Sequence, residues 1–195
     1  MRRLLLLVPI IALAATVVPS SAATGAKHFT DPTGDWAVAS EDITGGTITS
    51  TAKALTIDIN LAALPQQGVV SQYNAVLYAD TDRTSCNAYA ITYNWTGIDP
   101  SVSTMLDYYA NPSCDTAQAL ANRQPTASFP ATAAVTAHGV RFTIPTIPAL
   151  QPGVLVDYAN VFAIAGVEQI AVSGPSTWIG DGDYAAAGGP FVLGH

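Results

Sequence analysis

Residues 54–61 read ALTIDINL, and this stretch decides the fold class. Leu55, Ile57, Ile59 and Leu61 alternate with Thr56, Asp58 and Asn60. A period of two puts the aliphatic side chains on one face of a strand and the polar ones on the other. The preceding ITGGTITST, residues 43–51, is rich in Ile and Thr, and a polar turn at Thr51 to Lys53 joins the two stretches into an expected hairpin.

Working outward, the same strand signal recurs. Val69 to Ala79 is apolar on both faces, which suits a central strand. Asn87 to Trp95 and Thr104 to Tyr109 are strand-like. Ala131 to Ala137, His138-Gly139 and VRFTI form a second expected hairpin, and two more strands are expected within Val154 to Val172. Pro145 and Pro148 mark a strand edge or exit, because proline cannot donate to a ladder. The single helix expected is short, with Asp115 as its N-cap before TAQALANR. Many short strands with frequent turns predict an all-β fold, an antiparallel β-sandwich of jelly-roll type.

The N-terminus reads as a targeting segment. Arg2 and Arg3 precede an apolar run from Leu4 to Val18, and small residues follow at Ser21 and Ala23. That is the pattern of a secretory signal peptide, residues 1–23. The run is short of the ~20 residues that span a bilayer. Residues 24–195 are then expected as one secreted domain, a monomer free of the membrane once the signal is cut. Removing Arg2 and Arg3 leaves five basic residues against fourteen acids, a net charge of −9. With no basic patch, nucleic-acid partners are not expected. Cys86 and Cys114 are the only cysteines, and an even pair in an exported protein predicts a disulfide.

The usual enzyme signatures are missing. There is no GxSxG, HExxH or P-loop. GDGDYA at 180–185 formally fits GxGxxA, but Asp181 and Asp183 stand where phosphate would approach. A catalytic triad would need His138, which lies beside Gly139 in an expected turn. The reading is therefore non-enzymatic, with a hydrolase of unrecognised site as the alternative outside binding. Asn94-Trp95-Thr96 is a formal glycosylation sequon, but the Ala/Thr/Pro/Gly-rich composition suggests a bacterial exported protein without glycan.

Two features remain that could carry binding. The first is acidic. DPTGDWAVASED, residues 31–42, holds Asp31, Asp35, Glu41 and Asp42; Asp80 with Asp82 and Asp181 with Asp183 form two further clusters. Clustered carboxylates repel unless solvent, cations or a metal relieve them, and calcium takes six to eight oxygen ligands. Turn chemistry is the competing account, since Asp bonds its own nearby backbone. The second is aromatic: Trp36, Trp95 and Trp178 with eight tyrosines. Tyr93 and Trp95 share a face with Tyr89 and Ile91 in a regular strand. Such rings either stack on sugars or fill a β core.

DPTGDW followed by EDI, then TIT…LTIDINLA, then AVLYADTDR, a tyrosine-rich strand and the tail WIGDGDYAAAGGPFVL resemble the DOMON and family-nine carbohydrate-binding superfamily of exported bacterial modules. The resemblance implies a two-sheet sandwich that binds sugar, such as a cell-wall glycan, or haem. It implies structural calcium near the chain ends, here at Asp31, Asp35 and Asp42 with Asp183. In its haem branch the axial ligands would be Met105 and His138. Carbohydrate binding through Trp95, Tyr93, Trp36 and Trp178 is the leading expectation. Nothing in residues 24–195 matches an attached catalytic domain, which departs from the usual setting of sugar-targeting domains.

Overall fold

A computed structural model describes residues 26–67, 70–79, 87–97, 101–110, 123–164, 168–173, 184–185 and 190–194. The protein is all-β. Its strands are β1 (Lys27–Thr30), β2 (Ile43–Ser50), β3 (Ala54–Leu61), β4 (Ser71–Ala79), β5 (Ala88–Trp95), β6 (Ser101–Tyr109), β7 (Ala127–Val135), β8 (Gly139–Pro145), β9 (Leu155–Ile164), β10 (Glu168–Ser173), β11 (Tyr184–Ala185) and β12 (Phe191–Val192). One 3-10 turn, Pro148–Leu150, precedes β9. No helix among the described residues is long and apolar enough to cross a membrane. The expected helix after Asp115, the signal peptide, and both cysteines lie outside the described residues.

The strands form one sheet in the order β1-β2-β3-β8-β7-β6-β5-β4-β9-β10-β11, with β12 also on β9. All pairs are antiparallel except β10 with β11. The alternation in β3 is realised as read: Leu55, Ile57, Ile59 and Leu61 are buried, while Asn60 on the other face is exposed. β4, read as central, has β5 and β9 on its two edges, and Tyr73 to Ala79 are buried without a break.

The sheet curls until it nearly closes, barrel-like, around a single core. Inward residues of β2, β3 and β8 (Ile48, Ile57, Phe142) belong to the same packed cluster as those of β4, β5 and β9 (Tyr73, Ile91, Val161). The seam is drawn together by the C-terminal segment. β12 pairs with Leu155 and Val156 of β9, and the Ser50 N–H of β2 donates to the Gly194 carbonyl at 2.9 Å. Beside it, the Lys27 ammonium sits 5.5 Å from the centre of the Phe191 ring.

Two ladders stop short. β5 pairs with β6 only from Ala88–Tyr109 to Ile91–Leu106, and beyond that point the Thr104 hydroxyl reaches the Thr92 carbonyl instead. β7 pairs with β8 only from Thr132–Thr143 to Val135–Val140. The next outward-facing positions on that side are Pro130 and Pro145, and neither has an N–H to give. The β6–β7 ribbon, paired from Ser101–Ala134 to Tyr108–Ala127, therefore joins β5 at one end and β8 at the other. It crosses diagonally between the two halves of the sheet.

Candidate functional site

At one end of the curled sheet lie the β1–β2 loop (31–42), the β3–β4 connection and the β7–β8 turn. Backbone bonds stitch the first two together. Ala62 N–H donates to the Asp42 carbonyl and Ala63 N–H to the Ala39 carbonyl, both at 2.8 Å. The β1–β2 loop turns back on itself through Val38, whose carbonyl accepts from the N–H groups of Glu41 and Asp42.

The acids of this loop have separate fates. Asp35 is exposed, and Asp31 is half-buried with its N–H on the Thr44 carbonyl at 3.3 Å. Asp42 is buried and accepts the Gly34 N–H on Oδ2 at 2.7 Å. Gly34 supplies the positive φ of +88° that this turn requires. Glu41 has no exposed surface at all; its Oε1 accepts the Ser71 hydroxyl at 3.2 Å. One oxygen of each buried acid, Asp42 Oδ1 and Glu41 Oε2, has no hydrogen-bond partner among the described residues. The indole N–H of Trp36, on the same loop, is likewise buried and unpartnered there.

Beneath the loop runs a ladder of rings. The Tyr73 hydroxyl donates to the Ser40 carbonyl at 2.6 Å, and the Trp95 N–H to the Gln66 carbonyl at 2.9 Å. Tyr93 stands between Tyr73 and Trp95, with ring centres 6.3 and 6.4 Å away. Burial pushes the Tyr73 phenol up to about 12; the nearby Glu41 and Tyr93 charges act the same way, against the Ser71 hydrogen bond. Burial first, then Tyr108, pushes Tyr89 up to about 12 as well. Tyr93 and Trp95 are thus core residues whose rings are packed away from solvent, and Trp36 is half-buried. Trp178, Asp183, Asp80, Asp82 and Asp181 lie outside the described residues.

Next to the loop an open cleft of about 400 Å³ is lined by Thr44, Asn60, Leu61, Ala62, Ala63, Leu64, Ala137 and His138. None of these was a sugar-site candidate from sequence. Asn60 reads from sequence only as the polar side of β3, and His138 as a turn residue that the haem branch of the resemblance would use as a ligand; no local signal shows that the two meet at one cleft.

Among the described residues, no group of three or more acidic, histidine or cysteine side chains converges to hold a metal ion. The feature that fits a cation is the buried, unpartnered Asp42 Oδ1. Met105 and His138 do not bracket an iron. Met105 is opposite Pro130, while His138 lies beyond Val135, and the intervening strand spans roughly 17 Å at ~3.3 Å per residue.

No protein-family model matches the chain, and neither curated proteins nor solved structures gave a match.

Proposed function

We propose that this chain is a secreted, non-enzymatic binding domain of the DOMON and family-nine type that takes a short carbohydrate at its loop end. The observation that carries this reading is the open cleft beside the β1–β2 loop. At about 400 Å³ it falls within the range of small-ligand sites. The Thr44 hydroxyl, the Asn60 amide and the His138 imidazole offer hydrogen-bonding groups beside the aliphatic Leu61 and Leu64. Sugars present that same mixture of hydroxyls and C–H faces. In this reading the curled sheet works as a jelly-roll-like sandwich, with β1-β2-β3-β8 as one layer and β5-β4-β9-β10 as the other. The two interrupted ladders support that division.

Structural calcium belongs to the same proposal, on Asp42 with Asp31, Asp35 and Asp183. Its support is the free Asp42 oxygen. A Cys86–Cys114 disulfide is supported by strand pairing: Ala88 and Tyr109 face one another, two residues after the first cysteine and five before the second.

A glycan array with and without calcium tests the function. Short neutral oligosaccharides are expected to bind, and Asn60→Ala with His138→Ala to abolish the signal. Silence across the array removes carbohydrate as the ligand class. For the ion, the thermal midpoint is expected to fall with EDTA and recover with calcium, and Asp42→Asn to erase that response. A wild-type midpoint indifferent to EDTA rules the ion out.

A further inference from the structure

On the outer face of the sheet, five hydroxyl residues stand side by side on five adjacent strands. Thr49 of β2 faces Thr56 of β3, Thr56 faces Thr143 of β8, Thr143 faces Thr132 of β7, and Thr132 faces Ser103 of β6. Their strand neighbours Ile48, Leu55, Phe142 and Ala133 point into the core, which fixes the four threonines on the outside, and Ser103, opposite Thr132, is exposed. At ~4.8 Å between strands the row is about 19 Å long.

The hydroxyls of this row have no protein partner among the described residues and face solvent. Elsewhere Thr47, Thr51, Thr92, Thr104, Thr136 and Thr146 each hydrogen-bond to protein. Among the described residues none of the five row hydroxyls does so, and none is sealed away as a buried unpartnered atom. Each therefore offers one donor and two acceptor sites to whatever lies on the face. Alongside lie two apolar pairs, one on each side of the gap where the β7–β8 ladder stops: Ala54 faces Pro145, and exposed Met105 faces Pro130. On the other side Asp58 is neutralised by Arg141, so the row is an uncharged stripe on a chain of net charge −7. An anionic polymer would be repelled by the chain as a whole; a neutral one would not.

Threonine is also favoured in strands for its shape, and paired threonines add a few tenths of a kcal/mol to a sheet.

We infer that this row is a second binding surface, for a single neutral polysaccharide chain lying across the strands with its hydroxyls on the row and its C–H faces on the Ala54–Pro145 and Met105–Pro130 pairs. The twist of the sheet decides between a chain and a crystal face. Adjacent strands rotate by ~20–25°, so the row turns by roughly 80–100° from end to end. A flexible chain can follow that turn; a flat crystalline surface cannot. The surface is separate from the cleft and does not rest on the cleft's reading.

The test uses affinity electrophoresis of the full chain in gels containing soluble neutral polysaccharides: a mixed-linkage glucan, a xylan and a mannan. Thr56→Val, Thr132→Val and Thr143→Val together keep the β-branched shape and remove three hydroxyls. Wild type is expected to be retarded by at least one polymer, and the triple variant to lose at least tenfold in affinity with an unchanged thermal midpoint. Thr96→Val, off the row, is expected to migrate as wild type. Asn60→Ala with His138→Ala is expected to keep polymer retardation while losing short oligosaccharides, which separates this surface from the cleft. Retardation equal in wild type and triple variant overturns the inference, as does binding confined to insoluble crystalline polymer or no retardation in any of the three gels.

Discussion

Glu41 and Asp58 are both carboxylates, and the molecule treats them in opposite ways. Asp58 lies on the outer face of the sheet, where Arg141 grips it through two bonds at 2.7 and 3.2 Å and Thr47 adds a third contact. Water reaches the pair from one side, and the hydrogen-bonded Asp58 raises the Arg141 pKa above its ordinary value. Glu41 sits at the mouth of the core with no exposed surface, a single hydroxyl from Ser71, and Tyr73 close enough to feel its charge. The outer face can lose a partner and let water replace it. The mouth cannot, so the same chemistry carries a far larger energy there.

The comparison can be broken deliberately, beginning where the effect is largest. Ile57 belongs to the same strand as Asp58 but faces inward with no exposed surface. Ile57→Ala is expected to lower unfolding free energy by about 3–4 kcal/mol in urea denaturation. High pH probes the mouth next. The unfolded Tyr73 phenol releases its proton near its ordinary value of 10.0, the folded one at about 12. Its contribution is therefore whole below pH 10 and is lost as pH rises towards 12, a fall of about 2–3 kcal/mol. Tyr73→Phe should flatten that part of the curve, leaving the similar fall due to Tyr89. Ser71→Ala removes the one described partner of Glu41 and should cost about 2 kcal/mol, measured by thermal melting. Asp58→Ala should cost about 0.5–1 kcal/mol, a loss that shrinks in high salt. If Asp58→Ala proved more costly than Ser71→Ala, the contrast between the two regions would be reversed.

Much of this architecture was legible beforehand, and the reasons are local. β3 announced itself because one face is all aliphatic and the other all polar; the β2–β3 turn and the β7–β8 turn carried their own polar or glycine signals. β4 read as central because it is apolar on both faces. The strand bounds moved by a few residues, as with β7, which begins at Ala127 and runs through Pro130. What stayed hidden depends on pairing between distant residues. Asp58 and Arg141 are 83 positions apart, and nothing near either predicts the bond. The five-strand hydroxyl row exists only once the register of four ladders is known. In DPTGDWAVASED the four acids looked alike, yet the turn at Val38 sends Glu41 and Asp42 inward and leaves Asp35 in water. For Tyr93 and Trp95 sequence kept open both a stacking surface and a core; their burial, 1% and 6% exposed, gives the core.

Pro130 and Pro145 were described as the reason the β7–β8 ladder stops. They also guard the gap they create. An opening between two strands normally displays a run of N–H groups that a second molecule's strand can take up, the first step towards aggregation. Here the lips of the gap each carry a residue that cannot donate. The same two residues that end the β7–β8 ladder also withhold a backbone donor from any strand that enters there.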